Sequence, residues 1–163
     1  MQYLLDTNIV SEIMKPEPDF NVICWMQDHN ENLYLSAVSI HELYYGIYLL
    51  PDGKRKTGYL ERLGAITQDC TDRIFPLDAF SGSLCGKLYA ATRRTGQQGT
   101  IEDCMIAAIC QRNNATLATR NIKDFEVFDI PLVNPFNYES ETLKRLRREE
   151  AEHFNREKGE GSE

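Results

Sequence analysis

Four acidic residues follow predicted strands or lie in the first turns of the helices after them: Asp6, Glu42, Asp103 and Asp124. In an open parallel sheet the site lies beyond the carboxyl ends of the strands, so side chains at these positions converge there. Several carboxylates in one pocket repel one another unless a cation lies between them. Because the set holds oxygen ligands and no histidine, it favours Mg²⁺ or Mn²⁺ over zinc. The pattern therefore indicates metal-assisted chemistry.

Each acid taken alone also has a structural explanation. Aspartates near helix starts commonly cap the helix or complement its dipole, which applies to Asp103 and Asp124. Glu42 follows Ser39 at the spacing of a capping box. Asp6 is different, because it directly follows an apolar strand and has no cationic neighbour in the sequence. A partly buried carboxylate of this kind is costly, which favours a functional role for the group.

The elements that must position these acids alternate along the chain. Short apolar runs predict strands at 2–5, 33–35, 73–77, 116–118 and 132–133. Helical spacing predicts helices between them, with Thr7 and Asn8 capping the first and Ser36 or Ser39 capping the one that carries Glu42. Strands that alternate with helices predict an α/β fold, with a short central parallel sheet of four to five strands flanked by helices on both faces.

Length and composition predict one ordinary folded domain. The chain has 163 residues, of which 42% are hydrophobic and 26% charged, close to globular averages. No apolar run reaches the roughly 18 residues of a membrane span, and the first residues do not read as a secretory signal. We therefore expect a cytoplasmic protein with no membrane partner. Its five cysteines lack metal-ligand spacing and are expected to be reduced and buried.

The formal net charge is −7, opposite in sign to that of most nucleic-acid-binding proteins. A polyanionic substrate would therefore need help from metal ions or from a local basic patch. Two groups of basic residues are candidates for contacts with a phosphate backbone, although a solvated surface would explain them as well: Lys54, Arg55 and Lys56, and Arg93 and Arg94.

Four segments of the sequence together resemble the VapC-like PIN-domain ribonucleases, the toxin halves of bacterial type II toxin–antitoxin pairs. They are LLDTNIVSE with Asp6, SAVSIHELYYGI with Glu42, TIEDCMIAAI with Asp103, and LATRNIKDFEVF with Asp124. Any one segment is weak, but the four in this order and spacing are specific. The resemblance implies a PIN-like nuclease domain over residues 1–137. The charged composition of residues 138–163 predicts a helical or disordered extension.

The resemblance implies an endoribonuclease that depends on Mg²⁺ or Mn²⁺ and cleaves single-stranded or loop RNA. One or two such ions would activate water for attack on phosphorus. The implied catalytic residues are Asp6, Glu42, Asp103 and Asp124, with Asp6 and Asp103 as the surest metal ligands. Polar residues that match the family's supporting positions are Asn8, Thr119 and Asn121. The resemblance also implies a cognate antitoxin and a homodimer.

Other interpretations of the same residues stay open. Tyr44, Tyr45 and Tyr48 could stack on exposed bases, but their helical spacing favours packing in the core or in a dimer. An aspartyl phosphotransferase would need a second acid two residues after Asp6, where this chain has Asn8. The main alternative is a catalytically inactive PIN-fold module that binds RNA or a protein.

Overall fold

The computed structural model describes residues 1–96, 99–141 and 144–145. The strands are β1 (Tyr3–Leu5), β2 (Leu33–Ser36), β3 (Ile74–Phe75), β4 (Thr116–Ala118) and β5 (Leu132–Val133). The helices are α1 (Thr7–Ile13), α2 (Phe20–Asp28), α3 (Ala37–Tyr48), α4 (Lys54–Asp69), α5 (Ala79–Thr95), α6 (Ile101–Asn113) and α7 (Ile122–Phe125). Short 3₁₀ turns connect several of them, including Pro135–Asn137 after β5.

The five strands form one parallel sheet in the order β3-β2-β1-β4-β5. The chain runs from β1 to one edge of the sheet and then returns to the other side of β1, where Leu4 pairs with Leu117. The strand order therefore reverses between β1 and β4, and a crevice opens at the carboxyl ends of these strands. The predicted α/β fold is confirmed.

Helices cover both faces of the sheet because successive strand residues point to opposite sides. Leu4 and Leu117 lie in a core shared with α5 and α6, whereas Leu5 and Ala118 lie in a core formed with α1, α2, α3 and α4. Near-continuous apolar strands such as Thr116–Ala118 are buried throughout, as expected for the centre of a parallel sheet.

Three local expectations are corrected. Asp6, rather than Thr7 or Asn8, is the N-cap of α1, and its side chain accepts a hydrogen bond from the backbone N–H of Thr7. Of the two caps expected for α3, Ser36 is confirmed, because its side chain accepts from the N–H of Ser39. Ser39 is therefore inside the helix and makes no capping box with Glu42. The third strand is only two residues long, since Pro76 has no N–H to continue its pairing.

The chain continues in an ordered form past residue 137. The hydroxyl of Tyr138 donates to Asp28 at 2.7 Å, and its ring lies edge-on to His29. Ser140 is buried. Residues 141, 144 and 145 are helical, whereas residues 142–143 and 146–163 of the predicted extension lie outside the described residues. Among the described residues, no helix has the length and hydropathy needed to cross a bilayer.

Candidate functional site

All four of the acids singled out from the sequence line one pocket at the carboxyl end of the sheet. The pocket has a volume of about 540 Å³. Asp6 follows β1, Glu42 faces it from α3, Asp103 from the first turn of α6, and Asp124 from α7. Four separate elements thus bring together acids that are up to 118 residues apart in the chain.

Asp6 is the most constrained of the four, because the residue is only 4% exposed and four groups donate to its carboxylate. Oδ1 accepts from the backbone N–H of Thr7 at 2.8 Å and from the Thr7 hydroxyl at 3.3 Å. Oδ2 accepts from Asn8 Nδ2 and from Thr119 Oγ1, each at 2.6 Å. A carboxylate with this many donors is fixed in both position and rotamer.

Two opposing effects act on the ionisation of Asp6. Burial raises its pKa, and the negative charge of Asp103 adds to that rise. The hydrogen bonds from Thr119 and Thr7 stabilise the carboxylate and act in the opposite direction. Burial prevails, so the pKa of Asp6 lies above its ordinary value. A positive charge placed in the pocket would relieve this cost.

Thr119 and Asn8 form a small hydrogen-bond network around the Asp6 carboxylate. The Thr119 hydroxyl is fully buried and uses its single proton on Asp6. Its two lone pairs accept from Asn8 Nδ2 at 3.1 Å and from the backbone N–H of Asn121 at 3.0 Å. Of the three supporting residues expected from the sequence, Asn8 and Thr119 contact Asp6 directly. Asn121 reaches it only through its backbone and Thr119.

Glu42 carries the clearest sign of an unmet interaction. Its Oε2 atom is buried and has no hydrogen-bond partner in the described structure. Burial raises the pKa of Glu42 to about 7, and the charges of Asp6, Glu102 and Asp103 contribute further. An acid that is half-buried among other acids, with one oxygen unpartnered, is suited to receive a cation or a proton.

Asp103 has a structural role as well as a place in the pocket. Its Oδ2 accepts from the N–H of Thr100 at 2.9 Å, while Thr100 Oγ1 accepts from the N–H of Asp103 at 3.0 Å. These two bonds make a capping box at the start of α6. The capping and functional interpretations are therefore compatible, because the cap holds the Asp103 carboxylate where it lines the pocket.

The donor set of the pocket suits a hard divalent cation. The four acids provide only oxygen ligands, which Mg²⁺ and Mn²⁺ prefer, and the unpartnered Glu42 oxygen points to a missing positive partner. Among the described residues, no three carboxylate, thiolate or imidazole groups lie close enough to ligate one ion together. This arrangement fits Mg²⁺, which is usually held by one or two carboxylates and keeps several waters.

Several residues of the pocket were not singled out from the sequence, among them Glu12, Lys15, Arg120 and Phe136. Glu12 and Lys15 form an ion pair at 2.6 Å on one edge of the pocket. Arg120 lies between Thr119 and Asn121, two positions that the family resemblance did mark. Its position beside them was an available signal, whereas nothing in the sequence connects Phe136 to the acids.

The basic and aromatic groups proposed from the sequence lie outside this pocket. Lys56 donates to Asp52 at 2.9 Å, and Arg55 lines a neighbouring, more apolar groove. Arg93 lines an adjoining pocket of about 500 Å³ that shares Asp103 and Asp124 with the acidic one. The rings of Tyr45 and Tyr48 are exposed on α3 and do not reach the acids.

Comparison with known proteins identifies the family of this chain. The model of the PIN domain family matches residues 3–130. The chain is 34% identical to VapC ribonuclease Y4jK of Sinorhizobium fredii over 135 residues, which cover 82% of this chain and 96% of that protein. It is 33% identical to Toxin FitB of Neisseria gonorrhoeae over 136 residues, which cover 82% of this chain and 98% of the toxin.

A solved structure supports the same relationship. The crystal structure of FitAcB from Neisseria gonorrhoeae superposes with a TM-score of 0.76 at 33% identity, and the match covers 83% of this chain and 99% of that one. Both the sequence match and the fold extend over most of the chain. The chain therefore belongs to the PIN-domain family and, within it, is similar to the VapC-like toxins.

Proposed function

We propose that this protein is a Mg²⁺- or Mn²⁺-dependent endoribonuclease that cleaves single-stranded or loop RNA and acts as the toxin of a toxin–antitoxin pair. One observation carries the proposal: four acids from four separate elements line a single pocket at the strand-order reversal. The names of the relatives, a VapC ribonuclease and a toxin, support the ribonuclease and toxin roles.

Asp6 and Asp103 are proposed to hold the metal ion, with Glu42 and Asp124 completing the catalytic set. When bound, the ion would supply a Lewis acid for the phosphate and a water of lowered pKa. Asn8 and Thr119 orient the Asp6 carboxylate through their hydrogen bonds to Oδ2. Before the ion binds, Glu42 can hold a proton in the pocket near neutral pH, because its pKa is raised to about 7.

The proposed partners follow from the same family. Solved structures similar to this chain are toxin–antitoxin complexes, which supports a cognate antitoxin as the protein partner. A homodimer is supported by large apolar side chains left exposed on two helices, namely Phe20 on α2 and Tyr45 and Tyr48 on α3. RNA cleavage of this kind is proposed to take place in the cytoplasm, by a domain that ends near residue 137.

A catalytically inactive PIN-fold module is the second candidate. It is favoured by one observation, that Asp6 and Asp103 each cap a helix and so have structural roles of their own. Such a module would bind RNA or a protein without cutting RNA. Binding without cleavage therefore separates the two candidates.

The test is cleavage of a mixed, structured RNA pool by purified protein free of antitoxin. We expect cuts in Mg²⁺ or Mn²⁺, none in EDTA, and recovery when excess Mg²⁺ is returned. Asp6→Asn, purified in the same way, controls for contaminating ribonuclease. Metal-independent cutting, or equal cutting by Asp6→Asn, would contradict the proposal. Binding of RNA without cleavage under all metal conditions would favour the inactive module.

A further inference from the structure

Two of the described residues that line the acidic pocket are cationic, Lys15 and Arg120, and they differ in what they are bound to. Lys15 is committed to Glu12, which it contacts at 2.6 Å, and Glu12 is buried and also accepts from the N–H of Asp19. Among the described residues, the guanidinium of Arg120 forms no ion pair with a carboxylate, although its charge helps to lower the pKa of Glu12. Arg120 is therefore the cation of this pocket whose donors remain for a ligand.

Arg120 is held in place at both ends. Its backbone N–H donates to Asn8 Oδ1 at 3.0 Å, and the amide of Asn8 donates in turn to Asp6 and Thr119. Its guanidinium lies over the ring of Phe136, 4.7 Å from the ring centroid. The position of the Arg120 backbone is thus tied to that of the Asp6 carboxylate by hydrogen bonds, and the stacked ring restricts the rest of the side chain.

The platform under Arg120 is itself fixed. Phe136 lies in the 3₁₀ turn after β5, where its N–H donates to Asn134 Oδ1 at 3.0 Å and its carbonyl accepts from Asn21 Nδ2 at 2.9 Å. The ring is partly buried, and it lines the same pocket as the acids. A guanidinium stacked on a ring keeps its N–H edges free, and the planar fork matches two phosphate oxygens.

We propose that Arg120, stacked on Phe136, binds the phosphate next to the scissile one and so fixes the register of single-stranded RNA in the pocket. This inference rests on the proposed function. In the proposed function, the scissile phosphate binds at the acid cluster. Arg120 directly follows Thr119, whose hydroxyl donates to Asp6, so its side chain starts beside this cluster. An arginine there can hold a neighbouring phosphate that the carboxylates would otherwise repel.

The test combines a protein variant with a neutral RNA linkage. A short single-stranded RNA that contains a mapped cut site carries one uncharged methylphosphonate, moved along the strand one linkage at a time. Binding is measured in Ca²⁺, and cleavage in Mg²⁺ or Mn²⁺. The variants are Arg120→Gln and, as a matched control, Arg112→Gln, because Arg112 also lies over a phenylalanine ring, that of Phe80, but outside the pocket.

We expect the methylphosphonate at one linkage beside the cut to weaken binding by wild type about tenfold. Arg120→Gln should weaken binding of the unmodified RNA by a similar factor, and the two changes together should weaken it no further. Arg120→Gln should also reduce the slope of log affinity against log salt by about 0.7, the contribution of one phosphate contact on a single strand. Arg112→Gln should bind unmodified RNA like wild type.

Other outcomes separate this inference from the proposed function. If the losses of affinity caused by Arg120→Gln and by the methylphosphonate multiply at every linkage, Arg120 contacts none of these phosphates and the inference is wrong. If wild type binds RNA with the expected coupling but never cuts it, the proposed nuclease is wrong and the Arg120 contact stands. If wild type neither binds nor cuts RNA, both are wrong. If no cut site is found, the methylphosphonate is still moved along the RNA, and only binding in Ca²⁺ is measured.

Discussion

Replacing Glu42 by glutamine should make the protein more stable at pH 8 when divalent ions are absent. The pKa of Glu42 is raised from 4.5 to about 7 in the folded state, chiefly by burial and then by neighbouring acids. Between these values the folded protein keeps a proton that the unfolded chain has lost, so the stability of wild type falls as pH rises through this window. Glutamine stays neutral, so the variant lacks this contribution.

The magnitude follows from the size of the shift. A change from 4.5 to about 7 sets an upper limit of about 3.4 kcal/mol on the cost of ionising Glu42 in the fold. Because the side chain is partly exposed, water screens some of this cost, and we expect about 2 kcal/mol. The free energy of unfolding of Glu42→Gln should therefore be within about 1 kcal/mol of that of wild type at pH 5. At pH 8 it should be about 2 kcal/mol higher than that of wild type.

The assay is urea unfolding in EDTA at pH 5 and pH 8. The result compared is the difference in free energy of unfolding between the variant and wild type at each pH. The other ionisable groups are common to both proteins, so the difference isolates the effect of the side chain at position 42. Glu61→Gln is the matched control, since Glu61 is exposed on α4 and should show no such difference. The reasoning would be refuted if the free energies of unfolding of wild type and Glu42→Gln changed by the same amount between the two pH values.

Three further results are expected. Thr119→Val should lower the cleavage rate at least about tenfold, because it removes the buried hydroxyl that donates to Asp6. Thr119→Ser keeps a hydroxyl and should retain most of the rate. Equal rates for the two variants would contradict this role of the hydroxyl. Tyr138→Phe should lower the free energy of unfolding by about 1 kcal/mol through loss of the bond to Asp28, and an unchanged urea midpoint would disagree. Mg²⁺ should raise the melting temperature of wild type more than that of Asp6→Asn, measured by calorimetry, since the ion binds the folded pocket; equal shifts would place the ion elsewhere.

Much of the fold could be predicted because local patterns and tertiary context agree in it. The strands at 116–118 and 132–133 match the observed β4 and β5, since short apolar runs bounded by turn residues leave few other choices. The α5 helix ends at Thr95, and Gly96 caps it with a φ of 67°, as expected for a glycine that follows the basic residues Arg93 and Arg94. These features depend on residues close together in the chain.

The start of α1 shows where local rules were insufficient. Thr7 and Asn8 are good capping residues by type, yet Asp6 is the cap, because β1 ends at Leu5 and the helix starts at the next opportunity. The same shift placed Ser39 inside α3 and left Glu42 without the capping partner that its spacing indicated. In both helices the end of the preceding strand decided the register, and that end depends on pairing across the sheet.

The site could be predicted as a set of residues but not as an arrangement. The sequence and the family resemblance named the four acids and the polar residues Asn8 and Thr119. That they meet depends on the strand order, which brings β4 next to β1 across more than a hundred residues. Phe136 was missed for the same reason, because the stacking of a guanidinium on its ring is a tertiary contact with no local pattern. Arg120 was missed although it lies between Thr119 and Asn121, which the family resemblance marked.

The central claim is that the acidic pocket is the nuclease site, and one pair of variants tests it most directly. Asp103→Asn removes a pocket charge, whereas Asp129→Asn makes the same chemical change at an exposed residue outside the pocket, in a left-handed conformation that asparagine accepts. At a mapped RNA cut in Mg²⁺, we expect at least a hundredfold loss of rate for Asp103→Asn and none for Asp129→Asn. Equal rates for the two variants would contradict the account.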